Sequence, residues 1–122
     1  MRRAGARVDE VASPIGSWEA YELFLALLRG ATSARLTDDG FAQLAAKAGE
    51  GAARDYETLM RRGLTQSHRD WLAANNRRED VRRRWRAFFG AYDALISPVA
   101  TTPAFPRMAG VPKPEQRFMI NG

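Results

Sequence analysis

The 122-residue sequence contains no cysteine, which excludes disulfide bonds, thiol nucleophiles and zinc sites built on thiolate ligands. Its one histidine is His68, so a metal site would depend almost entirely on carboxylates, and we expect neither a metal nor a cofactor. The longest wholly apolar run, Leu23 to Leu28, is far shorter than the ~20 residues that span a bilayer. Arg2 and Arg3 are not followed by the apolar stretch of a signal peptide. We therefore expect a cytoplasmic protein with no membrane partner.

Lysine is also scarce, because Lys47 and Lys113 are the only two among 19 basic residues and the net charge of +5 comes from arginine. The planar guanidinium matches phosphate oxygens, so a nucleic-acid-binding helix is one alternative function. Glu79 and Asp80 interrupt the main basic run, and we do not expect nucleic acid as the partner. That run comprises Arg77, Arg78, Arg82, Arg83, Arg84 and Arg86.

Apolar residues recur at spacings of three and four along most of residues 17–92, which predicts a series of helices. The first is predicted to be capped by Ser17 and closed by Gly30, and its stripe is Trp18, Tyr21, Phe24, Leu25 and Leu28. Aromatic residues at this spacing favour core packing, although Trp18, Phe24 and Leu28 are also candidates for a substrate channel.

Three further helices are expected. One opens at Thr37 or Asp38 and ends near Gly49, and a short one covers residues 52–62 before Gly63 stops it. The last is predicted to be capped by Thr65. Its apolar stripe contains Trp71, Leu72, Val81, Trp85, Phe88, Phe89 and Tyr92.

Two short apolar runs, at residues 6–11 and 94–100, predict strands on either side of this helical cover. Two short strands so far apart in sequence do not make a sheet that buries itself. We therefore expect a single partial domain of an α/β fold over residues 1–122. It consists of a strand at 6–11, helical cover at 17–92, a strand at 94–100, and a loop and tail at 101–122.

The most specific sequence text is VRRRWRAFFGAYDALISPVATTPAFP at residues 81–106. It joins an aromatic-rich helix end to Tyr92-Asp93, an apolar run, Ser97-Pro98 and a Thr/Pro/Ala/Phe loop. This text resembles the amidase signature family, the Ser-cisSer-Lys hydrolases of carboxamide C–N bonds that include glutamine amidotransferase A subunits. Weaker matches to the family precede it at Ala4-Gly5-Ala6 and Gly63-Leu64-Thr65. The resemblance implies an α/β fold and acyl transfer from a carboxamide.

The family's catalytic residues are a serine nucleophile, a second serine preceded by a cis peptide, and a lysine that acts as the base. The sequence has no Ser-Ser pair and no loop resembling Gly-Gly-Ser-Ser-Gly-Gly, so we predict no catalytic residue in it. The resemblance thus implies a segment truncated at both ends and inactive alone. Its partners would be the remainder of the amidase polypeptide and a small amide substrate.

The resemblance also suggests that Thr101, Thr102 and Phe105 bind substrate, because the corresponding loop of the family approaches its active site. An ordinary stiff connection after a strand is the competing interpretation. His68 with Asp70 is better explained by a helix start than by acid–base chemistry. The alternatives to an amidase segment are a small basic helical nucleic-acid-binding module and a protein-interaction module.

Overall fold

The computed structural model describes residues 5–98, 100, 107–112 and 115–116. The chain forms two compact units, Met1–Ala91 and Tyr92–Gly122. Four α-helices lie in the described part of the first unit: α1 is Ser17–Thr32, α2 is Asp38–Ala46, α3 is Tyr56–Thr65 and α4 is His68–Phe89. A single 3-10 turn, Ser33–Arg35, follows α1.

The expectation of an α/β segment with two short strands was wrong, because none of the described residues lies in a strand. At 6–11, Val8 and Val11 remain 38% and 40% exposed, and Arg7 pairs with Asp9 two residues away. At 94–100, of which Val99 lies outside the described residues, Ile96 is 69% exposed. An extended segment needs a neighbouring strand to satisfy its backbone, and neither run has one among the described residues.

Capping side chains set the start of three helices. Thr37 accepts a hydrogen bond from the Gly40 amide and caps α2, which begins at Asp38, one of the two predicted starts. Asp55 accepts from the Thr58 amide at the start of α3, at 3.0 Å. The predicted caps of the other two helices were wrong, because Gly16 precedes α1 without a side-chain cap and Ser67, not Thr65, caps α4.

Gly30 and Gly63 were predicted to end helices, and both lie inside them. A Cβ on Gly63 would lie 2.7 Å from Cβ of Arg29, and one on Gly30 would lie 2.7 Å from Nε2 of Gln66. Each glycine therefore marks a place where two segments approach closely. The absence of a side chain serves packing here, and the helix continues because its backbone hydrogen bonds are undisturbed.

Helix α1 packs against both α3 and α4, and α2 packs against α3. Thr58 of α3 is fully buried, and its hydroxyl lies 3.3 Å from the Glu50 carbonyl and 3.2 Å from the Asp55 carboxylate. Gly51 in the preceding turn has φ of 90°, which favours glycine, and a Cβ there would collide with the Thr58 hydroxyl. Among the residues that the structure describes, the buried hydrophobic ones are Ile15, Leu23, Leu25, Leu59 and Ala74.

In the described part of the second unit, Gly110 has φ of 82° within a turn. The side-chain amide of Gln116 donates to the Val111 carbonyl at 2.8 Å. Across the described residues, no helix combines the length and the apolar character needed to cross a membrane.

Candidate functional site

The predicted substrate-binding residues Thr101, Thr102 and Phe105 lie outside the described residues, so their role stays a prediction. The described positions on either side of this loop, Ala100 and Arg107, are exposed.

His68 and Asp70 do not form an acid–base pair. Asp70 and Ser67 form a capping box, in which the Asp70 amide donates to the Ser67 hydroxyl at 3.1 Å and the Ser67 amide donates to the Asp70 carboxylate at 3.3 Å. The Ser67 hydroxyl also donates to that carboxylate at 2.6 Å. His68 stacks on Trp71, with ring centroids 6.3 Å apart. The structure uses these residues to begin α4.

Most arginines of the basic run have a carboxylate partner. Within α4, Arg82 donates to Glu79 at 3.0 Å and Arg83 pairs with Asp80. Arg78 lies 3.7 Å from Glu79, while Arg77 and Arg84 reach carboxylates on α1. The run is therefore largely neutralised locally, which weakens its ability to collect phosphates.

The aromatic residues of the predicted α4 stripe pack against one another near the end of the helix. Trp85 stacks on Phe89 with centroids 5.5 Å apart, and Phe88 meets both rings edge-on, at 5.8 Å and 5.2 Å. Phe89 nevertheless stays 49% exposed. The prediction that this stripe is a packing face is only partly met within the described residues.

Two ion pairs connect α1 to α4. Arg84 binds the Glu19 carboxylate through both terminal nitrogens, and it also donates to the Pro14 carbonyl at 3.4 Å. This hydrogen bond from Arg84 lowers the pKa of Glu19, and the carboxylate in turn raises the pKa of Arg84. One turn further along α1, Glu22 lies 3.7 Å from Arg77. Acidic side chains of α1 are thus directed towards α4.

A cleft of about 500 Å³ is lined by residues of α1, α3 and α4. Its buried lining residues are Leu59, Gly63 and Ala74, and the Glu22–Arg77 ion pair also borders it. The size suits a small ligand. Its chemistry depends on whether the polar lining groups are available to bind one.

Several polar groups of this cleft are engaged in structural bonds. The amide nitrogen of Gln66 donates to the carbonyls of Ala26 and Gly63, at 2.6 Å and 2.8 Å. The Thr65 hydroxyl donates to the Arg61 carbonyl at 2.9 Å, and Asp70 belongs to the capping box. No nucleophile paired with a base is found among the residues that line the cleft. The polar side chains of Gln66, Thr65 and Asp70 are thus bonded within the helical unit.

No family model matches this chain, and neither a curated protein nor a solved structure matches it. The described residues also contain no group of three or more histidine, aspartate or glutamate side chains that could hold a metal ion.

The helical unit has an unusual distribution of apolar residues along α1, which the sequence interpretation missed. Of the predicted core stripe, Phe24 is 57% exposed, and Tyr21 and Leu28 are 39% and 38% exposed. Leu23 and Leu25 are the buried residues of this helix. Gly30, at the close approach to Trp71 and Gln66, was the sequence signal that could have located the packed side.

Proposed function

We propose that this chain is a helical segment of an amidase signature hydrolase, which forms part of an enzyme whose serine nucleophile and lysine lie outside the sequence. In the complete enzyme the serine attacks the carbonyl carbon of a carboxamide, ammonia or an amine leaves, and water then releases the acid from the acyl-enzyme. The segment itself contributes structure and a loop near the substrate, and it is inactive alone.

The observation that carries the proposal is the incomplete core of the described chain. Five hydrophobic residues are buried in the described chain, and three of them are leucines. The large hydrophobic residues left exposed are Val8, Val11, Tyr21, Phe24, Leu28, Phe41, Tyr56, Leu72, Phe89, Ile96 and Val111. Burial of apolar surface is the main favourable term in folding. We therefore expect further polypeptide to stabilise a chain that buries few hydrophobic side chains and leaves many exposed.

The resemblance at residues 81–106 supports the identity of that further polypeptide. The aromatic end of α4, Tyr92-Asp93 and Ser97-Pro98 occur in the order found in the family. Ile96 in this stretch is 69% exposed. Another part of the enzyme would cover it.

The nucleic-acid-binding alternative is less well supported, because most arginines of α4 pair with carboxylates. A fluorescence titration with a 30-nucleotide RNA and with duplex DNA tests it. We expect no salt-sensitive binding in the micromolar range. A steep loss of affinity with added salt would favour this alternative over the amidase proposal.

The direct test is co-expression with the neighbouring reading frame. The gene region is sequenced, and a frame that encodes a lysine and a Gly/Ser-rich loop with paired serines is expressed together with this chain. Ammonia release is then measured from a panel of carboxamides. We expect turnover from the co-purified complex and none from this chain alone.

The control is the same complex with the first serine of the pair replaced by alanine in the neighbouring polypeptide, which should abolish turnover. Amide hydrolysis by this chain alone, surviving replacement of its own serines by alanine, would refute the proposal. The proposal would also be refuted if a neighbouring frame encodes the lysine and the paired serines but its product does not associate with this chain.

A further inference from the structure

Four charged side chains border the cleft between α1, α3 and α4, namely Glu22, Arg62, Asp70 and Arg77. Three of them already have a partner. The Asp70 carboxylate accepts from the amide and the hydroxyl of Ser67, and Glu22 faces Arg77 at 3.7 Å. Arg62 forms no ion pair among the described residues. It is therefore the charged group of the cleft that is available to bind a ligand.

One hydrogen bond holds the Arg62 side chain at the cleft. Its Nε donates at 3.2 Å to the carbonyl of Ala48, which is itself a lining residue. Both terminal nitrogens of Arg62 are without a partner among the described residues. The end of a guanidinium presents two parallel N–H groups, and these match the two oxygens of a carboxylate. The side chain is thus anchored through one nitrogen and open to an anion through the other two.

The uncharged part of the lining is largely apolar. Leu59 and Ala74 are only 9% and 8% exposed, and Ala26 and Ala73 also line the cleft. Such a surface suits a short hydrocarbon chain or an aromatic ring. The side-chain amide nitrogen of Gln66 donates to two carbonyls, so it does not supply a second donor to a ligand. The cleft therefore combines one free cationic group with an apolar wall.

We propose that this cleft binds a small monocarboxylate, whose carboxylate pairs with the terminal nitrogens of Arg62 and whose apolar part lies against Leu59 and Ala74. A dianion such as phosphate is disfavoured, because the carboxylates of Glu22 and Asp70 border the same cleft and repel additional negative charge. A neutral molecule of the same shape is also disfavoured, because it gains no charge-assisted hydrogen bond from Arg62. The proposal is independent of the proposed function, since it uses only residues of the helical unit.

The test is a titration of the whole 122-residue chain at pH 7, followed through its backbone amide NMR signals. The probes are sodium benzoate, inorganic phosphate and benzyl alcohol, which is uncharged and similar to benzoate in shape. We expect benzoate to cause saturable shifts in the millimolar range at the amides of Leu59, Ala73 and Ala74. Phosphate and benzyl alcohol should each bind at least tenfold more weakly.

Two variants locate the bound molecule. Arg62→Gln removes the positive charge, and Ala73→Leu fills part of the cleft from an exposed position of α4 without changing any charge. Arg86→Gln is the matched control, because Arg86 is an exposed arginine of α4 that does not line the cleft. We expect the first two variants to weaken benzoate binding at least tenfold, and Arg86→Gln to change it less than twofold. Circular dichroism checks the helix content of each variant.

A wild-type chain that shows no saturable shift with benzoate would overturn the proposal. Wild-type affinity for benzoate in Arg62→Gln, or in Ala73→Leu, would overturn it as well. Phosphate or benzyl alcohol binding as tightly as benzoate would rule out a carboxylate site. If Arg62→Gln does not fold, Ala73→Leu and the comparison of the three probes decide the question. These results leave the proposed function untouched, because that function is tested with the co-expressed complex.

Discussion

Arg84 of α4 donates hydrogen bonds from both terminal nitrogens to the Glu19 carboxylate of α1, and one of these nitrogens lies 3.2 Å from Oε2. This paired contact ties the first turn of α1 to the second half of α4. Both side chains are more than one-third exposed, so solvent screens the pair and its contribution to stability is modest.

The Glu19–Arg84 pair predicts a specific acid dependence of stability. Hydrogen bonding from Arg84 holds the pKa of Glu19 below its ordinary value of 4.5 in the folded chain. The unfolded chain then takes up the proton first, so the stabilisation is present above that ordinary value and is lost as the pH falls through the lower, folded pKa. Urea unfolding midpoints between pH 7 and pH 3 should fall more steeply for wild type than for Glu19→Gln.

Asp55 provides the internal reference for this measurement. The pKa of Asp55 is also lowered, mainly by the hydrogen bond from the Thr58 backbone amide. Wild type and Glu19→Gln therefore share the acid dependence that Asp55 causes. Equal slopes in wild type and Glu19→Gln would show that the ion pair does not form in solution.

Gly63→Ala should destabilise the helical unit although alanine is the better helix former. The new Cβ would lie 2.7 Å from Cβ of Arg29 and 3.3 Å from the Leu25 carbonyl, so α1 and α3 must move apart. We expect the free energy of unfolding to fall by about 1–3 kcal/mol. Gly49→Ala is the matched control, because nothing lies within 4 Å of its added Cβ, and it should change stability by less than about 0.5 kcal/mol.

Ser67→Ala should cost about 1 kcal/mol of unfolding free energy, because it removes the hydroxyl that accepts from the Asp70 amide. Ser17→Ala is the comparison, since Ser17 also stands at a helix start but Gly16 occupies the cap position of α1. Urea unfolding should show little change for Ser17→Ala. A larger effect at Ser17 than at Ser67 would contradict the assignment of the caps.

Phe105→Ala should raise KM about tenfold in the complete enzyme if the loop contacts the substrate, because truncating an aromatic ring in an apolar pocket costs at least 1 kcal/mol. Thr101→Val and Thr102→Val should act in the same direction through a lost hydroxyl. Phe41→Ala, at an exposed position of α2, is the control and should leave KM unchanged. Initial rates of ammonia release over a range of carboxamide concentrations provide the measurement.

The existence and approximate order of the helices could be predicted, because apolar spacing of three and four is a local property. The start of α2 at Asp38 was one of the two predicted starts, because a threonine before an acidic first turn is a local signal. The two strands were predicted wrongly, because short apolar runs become strands only when a neighbouring strand is present. Residues 6–11 and 94–98 have none among the described residues.

The sequence by itself determined that the chain has no cysteine thiol and that helices dominate the described residues. Only the tertiary structure decided which side of each helix is packed. Gly30 and Gly63 became contact points instead of helix ends because residues distant in sequence approach them. Phe24 became exposed and Glu19 became paired because α4 lies along the charged side of α1. Helical periodicity defines the faces of a helix, but long-range packing selects the face that is buried.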